Sequence, residues 1–127
     1  MNDETSRERS PLATAPVGFD KASILSSAES VLEGTAVETA EELVLLLRVH
    51  IGLLAPQIEE LALSLPGGEQ GRCLALASVG EARRKLRAGQ AAGAGPQRRA
   101  EQLARVCRAL IFHWEELQAA RLRAEGE

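Results

Sequence analysis

The stretch LRVHIGLLAPQIEEL, residues 47–61, decides the fold. Leucine and isoleucine recur in it at steps of three and four, which is the spacing of one face of an α-helix. Because proline removes a backbone donor and clashes with the carbonyl four residues earlier, we expect either a kink or two helices placed end to end near residues 52–56, and we favour a long helix that is kinked at Pro56. The apolar stripe keeps its phase across that proline and consists of Leu43, Leu47, His50, Leu54, Ile58, Leu61 and Leu65.

Cap and stop signals define the ends of this helix and of a shorter one before it. Asp20 is a good N-cap for a first helix, and Gly34 is a good C-terminal stop. Two overlapping capping-box patterns then follow, at Thr35–Glu38 and Thr39–Glu42, and one of them begins the long helix. Pro66-Gly67-Gly68 ends it.

Two further helices follow, over residues 69–88 and from Pro96 to about residue 124. We expect the third to bury Leu76, Val79 and Leu86 and to turn small residues, Cys73, Ala77 and Gly80, toward a neighbouring helix. The fourth has an apolar seam of Leu103, Cys107, Leu110, Trp114 and Leu117.

The predicted fold class is therefore all-α. It is an antiparallel bundle of three long helices, the second kinked at Pro56, plus one short N-terminal helix. Residues 20–125 form a single helical-bundle domain. Residues 1–19 lack periodicity and carry two prolines, so we interpret them as a disordered N-terminal arm.

Composition narrows the class of protein. The net charge is −3 over 127 residues, so the chain as a whole is not built to bind polyanions. No basic-then-apolar leader and no apolar run long enough for a membrane span is present. The two cysteines do not form a CxxC pair. These features predict a cytoplasmic protein with free thiols and no contact with membranes.

Three runs together resemble a known family: LRVHIGLLAPQIEEL, CLALASVGEARRKL and AEQLARVCRALIFHWEEL. The chain is similar, over about residues 39–117, to a small uncharacterised all-helical domain family of high-GC Gram-positive bacteria. Its members share the Leu-Arg-x-His-Ile helix and the Ala-Leu-Ala-x-x-Gly-Glu-Ala-Arg helix. The resemblance implies a loose link to natural-product gene clusters, and it implies no activity, cofactor or site residue.

Catalytic and metal chemistry find little support in the sequence. It contains no P-loop, GxGxxG, HExxH or GxSxG motif, so we expect a protein that is not an enzyme, with no catalytic residue, cofactor or metal. In the predicted bundle His50 and His113 lie about eleven residues apart along the axis, roughly 16 Å, which is too far for one metal site. We expect both cysteines to be buried small side chains.

His50 is the polar member of the apolar stripe. A buried neutral imidazole needs both a donor and an acceptor, and the candidate partners are Glu81, Gln102 or a carbonyl freed by the kink. The favoured interpretation is a structural histidine. The alternative is a base or pH-sensitive group beside a pocket, which would make the protein a small enzyme.

The two halves of the chain differ in charge. Residues 21–65 hold two basic and seven acidic side chains, whereas residues 66–127 hold eleven and seven. The structural interpretation is that the arginine charges are compensated within the protein, by the dipole of the third helix and by Glu38, Glu41 and Glu42. The alternative is a nucleic-acid or anion binder that uses the basic end from Arg83 to Arg108. Its candidate anion patch is Arg83, Arg84, Arg87, Arg98 and Arg99.

The long second helix is apolar on more sides than one core can cover. A helix that is apolar nearly all round is normally buried, and the short first helix offers only about two to three turns of cover. We therefore predict a protein-interaction or accessory module that acts through helix surfaces, as a homodimer or with a protein partner. The candidate interaction surface is Leu45, Val49, Leu53 and Leu63.

Overall fold

The computed structural model describes residues 19–88 and 95–126, and within these ranges every regular element is an α-helix. The four helices are α1 (Lys21–Glu33), α2 (Ala40–Leu63), α3 (Gln70–Ala88) and α4 (Pro96–Glu125). The all-α fold class and the count of one short and three long helices are confirmed for this part of the chain.

The helix ends follow from local chemistry. The Asp20 carboxylate accepts from the Ser23 backbone N–H at 3.3 Å, and Gly34 closes α1 in the left-handed region at φ 76°. Of the two overlapping capping boxes, the second begins α2. Thr39 Oγ1 accepts from the Glu42 N–H at 3.1 Å, and Glu42 Oε1 accepts from the Thr39 N–H at 2.9 Å.

α2 continues through Pro56 as one helix, which rules out two helices placed end to end. The predicted stripe faces the core. His50 is half-buried, and the other six members are buried: Leu43, Leu47, Leu54, Ile58, Leu61 and Leu65. The α4 seam is likewise buried apart from Trp114, which is partly exposed.

The helices share one core around α2 and α4, whose mutual contact is the most extensive. α3 packs against both of them. α1 packs mainly on α4 and only slightly on α2, and α1 and α3 do not touch in the described part of the chain. This placement of α1 leaves one side of α2 without a neighbour.

One residue of the predicted N-terminal arm belongs to the packed domain, and the others, residues 1–18, lie outside the described residues. Phe19, the last residue of the predicted arm, is buried and contacts Trp114 edge-on, with ring centroids 5.4 Å apart. The Lys21 Nζ–Glu115 Oε2 ion pair at 2.6 Å lies beside it. An aromatic side chain next to the α1 N-cap thus belongs to the packed domain.

The buried side of α3 differs from the prediction. Ala75, Val79 and Ala82 are buried, whereas Leu76 and Leu86 are only partly buried. Small side chains at four- and three-residue steps let α3 lie close to α2 and α4, so the leucines flank the seam. The predicted small-residue face was wrong in direction, because Cys73 and Ala77 point to solvent.

Candidate functional site

The side of α2 that faces away from the core is apolar over most of its length. From Leu43 to Glu59, every residue that the structure leaves exposed is apolar or glycine. The predicted interaction residues Leu45, Val49, Leu53 and Leu63 are 44–66% exposed. We call this surface the α2 outer face, and it consists of Leu45, Val49, Gly52, Leu53, Pro56 and Leu63.

Polar contacts bound the α2 outer face without crossing it. On the side of α3, the Arg48 guanidinium donates to the Leu86 carbonyl at 3.0 Å, and Glu59 accepts two hydrogen bonds from Arg83. Toward the ends of the helix, Glu41, Glu42 and Glu60 are exposed. The face is thus apolar from Leu45 to Pro56, and the exposed Glu60 carboxylate lies between Pro56 and Leu63.

The predicted anion patch does not form one surface. Arg83 binds Glu59 through two nitrogens at 3.1 and 3.2 Å, and these hydrogen bonds hold the pKa of the Glu59 carboxyl below its usual value. Arg84 and Lys85 both pair with Glu81. Within the predicted patch, Arg83 pairs with Glu59 and Arg84 with Glu81, so the predicted pairing with Glu38, Glu41 and Glu42 was wrong.

Arg99 is the clearest correction within the patch. It is only 4% exposed, and its guanidinium donates to the Lys85 carbonyl in the last turn of α3. Burial lowers its pKa, and the nearby positive charge of Arg48 lowers it further. Arg99 and Arg48 together satisfy carbonyls at the C-terminus of α3, so Arg99 is a helix-capping residue and is not available to an external anion.

A separate row of exposed basic side chains lies on the outside of α4. Arg98, Arg105 and Arg108 point to solvent and line two open depressions, and Phe112, 56% exposed, continues the same row. We call these four residues the α4 outer face. These four residues are seven, three and four positions apart, which is the spacing of one helix face, so the sequence alone could have grouped them. Of the predicted patch, Arg98 belongs to this face, and Arg87 is exposed at the end of α3.

His50 lacks the partners that the sequence predicted for it. Its Nε2 is buried and has no hydrogen-bond partner among the described residues. Glu81 is engaged by Arg84 and Lys85 instead. Burial lowers the His50 pKa, and the Asp20 carboxylate at the start of α1 opposes that shift. Neither depression on α4 includes His50.

The two cysteines differ from each other. Cys107 is buried as predicted, and burial raises the pKa of its thiol to about 12. Cys73 is exposed, so the prediction that both are buried was wrong. In residues 19–88 and 95–126, no group of three His, Cys, Asp or Glu side chains is arranged to hold a metal ion.

The comparisons with known proteins identify a family and no individual relative. None of the described helices is long and apolar enough to cross a membrane. Neither the curated proteins nor the solved structures contain a match to this chain. The model of a family of unknown function, DUF6415, matches residues 22–119, which include all or most of each of the four helices. The chain therefore belongs to this family of unknown function.

Proposed function

We propose that the protein is a non-catalytic protein-interaction module that binds its partner through the α2 outer face. One observation carries the proposal: from Leu43 to Glu59 all exposed residues are apolar or glycine. An uninterrupted apolar row on a helix surface is costly in water and is typical of an interface. The partner is a protein, and the proposal involves no cofactor and no membrane.

Capture from a lysate of the native host tests this function. The tagged wild type is compared with the double variant Val49→Lys/Leu53→Lys and with the control Leu122→Lys. Leu122 is 66% exposed and lies near the end of α4, away from the α2 outer face. We expect mass spectrometry to find proteins that bind the wild type and the control but not the double variant. Equal recovery with all three would contradict the proposal.

A nucleic-acid or anion binder is the second candidate function. The observation in its favour is the α4 outer face, where three exposed arginines line two open depressions. Against it stand the net charge of −3 and the scarcity of aromatic side chains for base stacking. We therefore favour the interaction module over this candidate.

A gel shift at low and moderate salt separates the two functions. We expect no retarded band for the wild type with either DNA or RNA. A band that weakens steeply with salt would favour the second candidate if Arg98→Glu/Arg105→Glu/Arg108→Glu removes it. Arg123→Glu, an exposed reversal at the far end of α4, is the matched control.

The third candidate, a small enzyme with a pocket near His50, has weaker support than the other two. A general base must reach the proton that it abstracts. The Nε2 of His50 is buried instead, and neither described depression contains this side chain. We therefore assign no catalytic residue.

We also propose the finer architecture: successive helices run antiparallel, and α2 bends at Pro56. Three contacts support the first point for α2 and α3, because the number of the α3 partner falls as the numbering rises along α2 and into the loop that follows it. These contacts pair Arg48 with Leu86, Glu59 with Arg83, and Leu65 with Arg72. The second point rests on proline, which cannot donate to the Gly52 carbonyl.

The proposed setting is the cytoplasm of a high-GC Gram-positive bacterium, which follows from the family resemblance and from the free cysteines. A listing of neighbouring genes across the family tests the link to natural-product gene clusters. We expect a recurrent neighbour that encodes the protein partner.

A further inference from the structure

We propose that the partner on the α2 outer face is a second copy of this chain, packed with the two α2 helices antiparallel and the two-fold axis near residue 54. This inference rests on the proposed function and adds the identity of the partner and its register.

The α2 outer face has an internal symmetry that fits such a pairing. Leu45 and Leu63 lie nine residues on either side of residue 54, and Gly52 and Pro56 lie two residues on either side. Successive members are seven, four and seven residues apart, so all four lie close to a single line that covers about five helical turns. In an antiparallel pair centred on residue 54, Leu45 is opposite the other copy's Leu63, and Gly52 is opposite its Pro56.

The shapes of the central residues are complementary in this register. A Cβ added at Gly52 would meet nothing within 4 Å, so the surface there is open. The Pro56 ring, which is exposed, can fill that space in the other copy. Val49 and Leu53 lie to one side of the line. The two-fold axis places both copies of these residues in one continuous row on that side.

The charges favour the antiparallel direction. In a parallel pair, each of these carboxylates would lie beside its own counterpart in the other copy, and like charges repel. The carboxylates concerned are those of Glu41, Glu42 and Glu60. In the antiparallel pair, the two acidic N-termini are far apart, and the two copies of Glu60 lie about 18 Å apart along the axis. The apolar residues between them face each other.

The size of the face predicts a weak dimer. From Leu45 to Leu63 it is about 27 Å long and about 10 Å across, which gives about 300 Å² for each copy. Specific interfaces typically bury about 800 Å² per partner, so we expect dissociation in the micromolar range or weaker. Sedimentation velocity from about 10 μM to about 1 mM covers this range.

Cross-linking of single cysteines tests the register. Leu45→Cys and Leu63→Cys are each made with Cys73→Ser, which removes the exposed native thiol, while the buried Cys107 stays. A short bismaleimide is added to each variant alone and to an equal mixture. We expect a covalent dimer from the mixture and little from either variant alone. Adding Val49→Lys to both should abolish the product, whereas adding Leu122→Lys should not.

The outcomes separate this inference from the proposed function. Cross-linking of Leu45→Cys alone as strongly as the mixture would overturn the antiparallel register. A monomer over the whole concentration range, with no cross-linked product, would overturn the self-pairing. If the lysate partner is still lost in Val49→Lys/Leu53→Lys, the interaction function stands with a different protein on the same face. If that loss is absent too, both proposals fail.

Discussion

His50 shows what helical spacing can predict for one residue. The period of α2 placed it on the core side, and the structure leaves it half-buried there. The period could not predict its surroundings, because Asp20 comes from another element and Glu81 is engaged by Arg84 and Lys85. A polar atom without a partner costs stability, and this holds for Nε2.

His50→Leu should therefore keep or slightly raise the free energy of unfolding at neutral pH, by about 0–1 kcal/mol, because it removes the unpartnered nitrogen and still fills the space. His50→Ala leaves a cavity and should lower the free energy by about 1–3 kcal/mol. Urea unfolding measures both. A larger loss for His50→Leu than for His50→Ala would mean that the imidazole makes a necessary polar contact.

The pH dependence of stability follows from the same histidine. Because its pKa is lower in the folded state, the unfolded state takes up the proton first as the pH falls. The stabilising contribution is complete above the unfolded pKa, about 6.5, and is lost as the pH falls through that value toward the folded one. We expect the melting temperature to fall from about pH 7.5 to about pH 5.5, and less steeply in His50→Leu.

His113 also contributes to the pH dependence of stability, so a variant of it serves as the control. Burial lowers its pKa as well, so it adds to the slope in the same direction. His50→Leu/His113→Gln should show the smallest dependence over the same pH range. Equal slopes in the wild type and in both variants would contradict the assignment to these histidines.

At the scale of the helices, capping explains which helix ends could be predicted from the sequence and which could not. The ends of α1 and α2 were predictable because Asp20, Gly34 and Thr39 act on neighbours in the chain. The cap of α3 was not, because its donors come from α2 and α4. The sequence did contain a signal that Arg99 is buried. Arg99 is four residues before Leu103 and therefore lies on the buried stripe of α4, whereas Arg98 points outward.

Arg99→Ala should lower the free energy of unfolding by about 1.5–3 kcal/mol, because the Lys85 carbonyl loses a charged donor. Arg98→Ala, the neighbouring exposed position, should change it by less than about 0.5 kcal/mol. Denaturant unfolding of the two variants makes the comparison. Equal effects would show that Arg99 does not cap α3.

For the whole molecule, the sequence could predict how many helices there are and which sides of α2 and α4 are buried, but not the buried side of α3 or which helices are neighbours. A 13-residue helix such as α1 has the same apolar spacing wherever it packs. The contact of Phe19 with Trp114, which directs α1 toward α4, joins residues far apart in the chain. Its consequence is the uncovered side of α2, and that side is the candidate site.

The reactivity of the two cysteine thiols tests whether the core is packed as described. Cys73 is exposed and should react with a thiol reagent in the folded protein. Cys107 is buried and its pKa is raised to about 12, so at pH 8 only about one thiol in ten thousand is ionised. We expect one reactive thiol in the native state and two in denaturant, measured by absorbance. Rapid reaction of both in the native state would contradict a packed α4 seam.

The narrow seam under α3 limits how the family can vary. Ala75 and Ala82 are fully buried, and Val79 between them is 2% exposed, so a larger side chain at these positions would push α3 outward. In an alignment of members, these three columns should hold only small residues, whereas the exposed positions Cys73 and Leu74 should vary in size. Side-chain volume then limits substitution on the buried side of α3, and it places no such limit on these two exposed positions.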